Sequence, residues 1–153
     1  MMKLSDELKQ SYLNLHMLLD HVRHADSQNL EPAIFRFLDE VDSHQLAANS
    51  ILRRQQAITI RYERIWTHEV ELKAKRLLAL IEHLQYLDKG SESWKQAMSI
   101  LKELLVEWSG DEQNLISSYS FNDDWIKSHT WGHDFSAMKT ELFRRKATMD
   151  YGL

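Results

Sequence analysis

An all-α fold is predicted for this chain, an antiparallel four-helix bundle with an additional C-terminal helix, and three observations predict it. Apolar residues recur at alternating steps of three and four over long segments, the period of one helix face. Chain breakers are few, four glycines and one proline in 153 residues, so the connections between those segments are short. The length and the 43% hydrophobic and 27% charged content suit one domain, residues 1–153, with a real core.

The first helix, about 5–25, begins after Ser5 and carries Leu8, Tyr12, Leu15, Leu19 and Val22 on one face. Pro32, acceptable in a first turn, opens the second at 32–56, whose inner face holds Ile34, Leu38, Val41, Ala48 and Leu52. The β-branched Ile58-Thr59-Ile60 interrupts the pattern before the third helix, 62–88, striped by Trp66, Val70, Ala74, Leu77, Ile81 and Leu84. Asp88-Lys89-Gly90-Ser91 is the clearest turn, with Gly90 ending the third helix and Ser91 capping the fourth. The fourth, 92–117, buries Trp94, Ala97, Met98, Leu101, Leu104, Leu105, Trp108, Leu115 and Ile116. Polar Ser117 to Asn122 breaks the pattern, and Asn122 or Asp123 caps a fifth helix, 123–146, with the stripe Trp131, Phe135, Met138 and Leu142.

Composition excludes several classes. With no cysteine there are no disulfides, thiolate metal sites or cysteine nucleophiles. The N-terminus turns polar and acidic where a secretory signal needs an apolar run, and no segment reaches the length of a membrane span, so a cytoplasmic location is expected. A formal charge of −4 gives no general attraction to nucleic acid, and the basic clusters Arg53-Arg54 and Arg144-Arg145-Lys146 are short enough to be solvated helix ends. Glycine-rich phosphate loops, a GxSxG elbow and HExxH are all absent, and no acid/base pair is specified by spacing, so an enzyme is not indicated.

Candidate site residues come from histidines and carboxylates on inward faces. Glu112 falls four residues after Trp108 and three before Leu115, which turns it toward the core if the helix continues through Gly110. A buried carboxylate then needs a metal, a cation or hydrogen bonds. If Gly110 instead breaks the helix, Glu112 lies in a solvated turn. His16 sits at the edge of the first stripe and starts an i, i+4, i+8 ladder with Asp20 and His24, while His44 lies between Val41 and Ala48. His68 lies on the far side of its helix from Val70, Leu77 and Ile81, and an ordinary structural or surface role is the simpler reading of any one of these histidines. His129 and His133 stand one turn apart but project away from the stripe, and Trp125 and Trp131 occupy different faces, leaving one available for an interface.

"DWIKSHTWGHD" resembles the last-helix segment of the bacterial hemerythrins, with Trp125, His129 and Asp134 at the matching positions, and "LNLHMLLDHVRHA" resembles the family's first helix, with His16 at its ligand position. The resemblance implies a four-helix bundle holding iron for oxygen binding or sensing. His44 would begin the second-helix motif, with Ala48 in place of the bridging glutamate, and His68 would supply the third helix. A second alignment makes 92–117 the family's fourth helix, keeping Glu112 but placing Trp108 where a histidine would stand, and leaves His16, His44, His68 and Glu112 as a mononuclear set. Two expectations follow. One is a bundle binding iron or another divalent metal through residues drawn from His16, His44, His68, Glu112, His129 and Asp134. The other is a metal-free interaction or regulatory domain, acting through a protein partner or as a homodimer, in which Ala48 and Trp108 fill the space of a metal.

Overall fold

The computed structural model describes residues 3–56, 61–117, 132–142 and 144. They form α1 (Leu4–His24), α2 (Leu30–Gln56), α3 (Arg61–Leu84) and α4 (Glu92–Ser117), with a further helical stretch, α5, over 132–142. The predicted all-α bundle is what the chain adopts, and no strand occurs among the described residues. Each of the four long helices packs on its sequence neighbour, and α1 also packs on α4, so the four close into a ring around one core.

The apolar periodicity explains that core. Leu4, Leu8, Leu15, Leu19 and Val22 of α1 meet Ile34, Phe37, Val41 and Ile51 of α2, Val70, Leu77, Ile81 and Leu84 of α3, and Leu101, Leu105, Trp108 and Leu115 of α4 in one buried cluster. Burying each large apolar side chain contributes about 1.5–3 kcal/mol relative to leaving it in water. Leu38, predicted inward, is only partly buried, because the face of α2 is centred on Phe37, which is fully buried. From α5, Phe135 reaches the core and Met138 packs at its edge.

Helix boundaries follow local chemistry. The Asp26 carboxylate accepts the backbone N–H groups of Gln28 and Asn29, and the Asn29 carbonyl accepts the N–H of Ala33, so α2 starts two residues before Pro32. Pro32 then sits in the first turn, where a missing N–H is harmless. The third helix ends at Leu84, four residues before the predicted boundary. Gln85, Tyr86 and Leu87 donate to carbonyls three residues back, a tightening into a turn that side-chain periodicity does not distinguish from helix. Gly90 follows with φ of 86°, and the Ser91 hydroxyl accepts the Trp94 N–H at 3.2 Å, the predicted cap.

Gly110 does not break α4, so the reading that placed Glu112 in a solvated turn is incorrect. A glycine costs about 1 kcal/mol in a helix interior. The buried residues on both sides of it, Trp108, Leu115 and Ile116, outweigh that cost, and Gly110 itself faces open space. The predicted interruption at Ile58-Thr59-Ile60, the polar break beyond Ser117 and the start of the fifth helix near 123 lie outside the described residues.

Candidate functional site

Four helices bring polar side chains to one level of the core. In α1, Ser11 follows Leu8 by three and precedes Leu15 by four, and Tyr12 lies in the apolar stripe, so both are buried. His44 of α2 and Glu112 of α4 are inside the bundle with no exposed surface. Lys139 of α5 comes four residues after Phe135 and shares its inward side.

These groups form a connected chain of hydrogen bonds. Tyr12 Oη donates to Glu112 Oε1 at 2.5 Å, and His44 Nε2 lies 2.6 Å from the same oxygen. The second ring nitrogen, Nδ1, is 2.6 Å from Ser11 Oγ, which accepts from Lys139 Nζ at 2.8 Å. Lys139 also pairs with Glu40 of α2. Since a carboxylate oxygen accepts and an ammonium only donates, one assignment uses every group: Nε2–H donates to Glu112, and the Ser11 hydroxyl donates to Nδ1.

Aromatic rings enclose the cluster. The His44 ring lies 4.9 Å from that of Tyr12, 5.0 Å from Trp108 and 5.2 Å from Phe135, the last two in edge-to-face contact. Burial, reinforced by the charge and the hydrogen bond of Glu112, holds the Tyr12 phenol well above its ordinary pKa. Glu112 Oε2 and Trp108 Nε1 are buried without a hydrogen-bond partner among the described residues. On the opposite flank of α4, Lys73 of α3 pairs with Glu107 at 2.9 Å and with Asp111, and the hydrogen bonds to Asp111 and then Glu107 raise its pKa. This pair ties α3 to α4 one residue from Glu112.

Above Ser11 the surface opens into a cleft of about 310 Å³ between α1, α2 and α5. Ser11 and Phe135 line it together with Glu7, Gln10, Asn14, Glu40, Ser136, Lys139 and Thr140. The chain Lys139–Ser11–His44–Glu112 therefore runs from the cleft into the aromatic-walled interior.

Of the residues that the sequence nominates, His44 and Glu112 are brought together. His16 is half-buried on α1, and the carboxylate is met from that helix by Tyr12, four residues earlier. His68 is exposed on α3. Asp134 is half-buried at the start of α5, beside an exposed His133, while His129, Trp125 and Trp131 lie outside the described residues. Among the described residues, no three His, Asp or Glu side chains gather as a metal-ligand group.

The spacing of the donors tests the fit of an ion directly. Two ligands each about 2.1 Å from a metal, at tetrahedral or right angles, stand about 3.0–3.4 Å from one another. Tyr12 Oη and His44 Nε2 are 2.5 and 2.6 Å from Glu112 Oε1. Shared protons fit those gaps, and an ion fits only after the side chains separate.

Family models, curated proteins and solved structures yield no match to this chain. The likeness to hemerythrins thus stands on its sequence motifs alone. No helix among the described residues is long and apolar enough to cross a membrane.

Sequence reasoning passed over Ser11, the Tyr12 hydroxyl and Lys139. Ser11 and Lys139 occupy positions three or four residues from buried Leu8, Leu15 and Phe135, which is the signal that could have found them.

Proposed function

We propose that this protein is a metal-free helical regulatory bundle that couples its α1/α2/α5 cleft to a buried hydrogen-bonded centre. The observation that carries the reading is the unbroken chain from Lys139 at the cleft through Ser11 and His44 to Glu112 and Tyr12. A change at the Lys139 ammonium alters what Ser11 accepts, hence what it offers His44, and reaches α4 through Glu112 without any large movement. In a buried network the members polarise one another, so a change at one end is felt along the chain. A protein partner or a second copy would read the outcome on exposed apolar positions such as Leu13 and Met17, one turn apart on α1.

The test is the nitrogen spectrum of His44. Lys139→Met should shift both imidazole ¹⁵N resonances although Lys139 does not touch the ring, and Lys9→Met, on an exposed part of α1, should leave them in place. Unchanged resonances in Lys139→Met would overturn the coupling.

A second reading has one observation in its favour. Glu112 Oε2 is fully buried and has no partner among the described residues, a state that an ion would relieve. Nitrogen and oxygen donors suit iron or manganese, so His44, Glu112 and Tyr12, moved apart by about 0.4–0.9 Å to reach ligand spacing, would hold iron or another divalent metal in the manner of a hemerythrin-like sensor. Elemental analysis after iron reconstitution, beside His44→Ala, decides between the readings: near-stoichiometric metal lost in the variant supports the second.

A further inference from the structure

The lining of the cleft carries charge of both signs, and the balance is uneven. Lys139 and Glu40 form an ion pair in which both side chains are largely buried, about 15% exposed on each side. This pair neutralises itself. Glu7 of α1 lines the same cleft, half-buried, and its carboxylate has no ion-pair partner among the described residues. The Glu7 carboxylate is thus open to a cationic group of a ligand.

Lys139 is also not saturated. An ammonium has three donors, and two are directed to Ser11 and Glu40. The third has no acceptor among the described residues and belongs to a cleft-lining side chain. Gln10 donates to Asn14 at 3.4 Å across one turn of α1, and the Thr140 hydroxyl bonds back to the Ser136 carbonyl at 3.0 Å. Between them, the Gln10 carbonyl and the Asn14 amide N–H₂ remain for recognition, and Phe135 supplies an apolar wall. The volume, about 310 Å³, falls at the small end of cavities that take organic ligands.

We propose that the cleft binds a small zwitterion of the α-amino-acid class, its ammonium on Glu7 and its carboxylate on the free N–H of Lys139. A simple anion would leave Glu7 unanswered, and a simple amine would leave the Lys139 donor unused, whereas a zwitterion satisfies both. The inference rests on the cleft-to-core reading above and names the ligand that would act through it, since a carboxylate on Lys139 competes with Ser11 for the same ammonium.

Isothermal titration of the full chain with glycine, L-serine, L-glutamine and L-lysine, beside acetate and ethylammonium, tests it. At least one amino acid should bind saturably at one site with a Kd below about 1 mM. Acetate and ethylammonium should bind about tenfold or more weakly, each lacking one charged contact. Lys139→Met and Glu7→Gln should each weaken the amino acid by about tenfold. His21→Ala, in the separate cleft between α1 and α2, should not. Glu7→Gln is a half-exposed change outside the core, so the result stands even if Lys139→Met unfolds. No saturable heat with any of the four amino acids, or binding indifferent to Glu7→Gln, overturns the assignment. The two proposals fail separately: amino-acid binding that leaves the His44 nitrogens unmoved removes the coupling, and a Lys139→Met shift at His44 without amino-acid binding removes only the ligand class.

Discussion

The apolar core residues, Val22, Phe37, Leu77 and Leu101 among them, and the layer of Ser11, Tyr12, His44 and Glu112 are both buried, yet they are held by different physics. In the first, every contact is nondirectional, and stability follows area and volume. In the second, each side chain is tolerable only because a named atom on another helix answers it. The polar layer therefore fixes which helices meet and at what level, while the apolar core supplies most of the driving force.

The largest expected effect comes from removing the acceptor that the polar layer shares. Glu112→Ala strands the Tyr12 hydroxyl and His44 Nε2–H in the interior, each costing about 1–3 kcal/mol, so urea unfolding should show a loss of about 4 kcal/mol. Glu112→Gln keeps an acceptor oxygen and should recover at least half of that. Equal losses in the two variants would mean that the layer depends on the negative charge of Glu112 and not on an acceptor oxygen or on the side-chain volume. Next comes the apolar control. Leu77→Ala should cost about 3 kcal/mol, and Leu77→Met less than about 1.5 kcal/mol, because volume rather than direction decides there.

Tyr12→Phe removes one donor and no volume, with an expected loss of about 1–2 kcal/mol in neutral solution. It also predicts a pH dependence whose sign is fixed. Burial raises the folded phenol above its unfolded pKa of about 10, so the favourable contribution of the neutral phenol is complete below that pH and is withdrawn as pH rises through it toward the folded value. Wild type should therefore lose stability above about pH 10 more steeply than Tyr12→Phe, as followed by circular dichroism. The smallest effect lies outside both layers: Ser91→Ala should cost about 1 kcal/mol by removing the cap of α4.

Much of the apolar region was legible in the sequence. Leu8, Leu15, Val70, Leu77, Leu101 and Leu105 announce themselves by period, and Gly90 and Ser91 by turn and cap chemistry. The polar region was legible only in part. His44 and Glu112 stand at inward positions of their own helices, but their partnership spans residues 68 apart in sequence and depends on how helices rotate against one another. His68 shows the limit from the other side: its residue type suited a site, and the phase of α3 exposes it. Tyr12 took the inward position facing Glu112 that the family likeness would give to His16, one turn further on, and no local pattern separates those two choices.

The most direct test of the hydrogen-bonded centre is a long-range ¹H–¹⁵N correlation spectrum of His44 recorded as zinc is added to one equivalent. A diamagnetic ion with the same preference for imidazole and carboxylate competes for Nε2 without broadening the signal. The Nε2–H tautomer is expected at the start, with Nδ1 as acceptor, and no change at the end of the titration. Stoichiometric loss of the Nε2 proton as zinc binds would contradict it and establish a metal centre at His44 and Glu112.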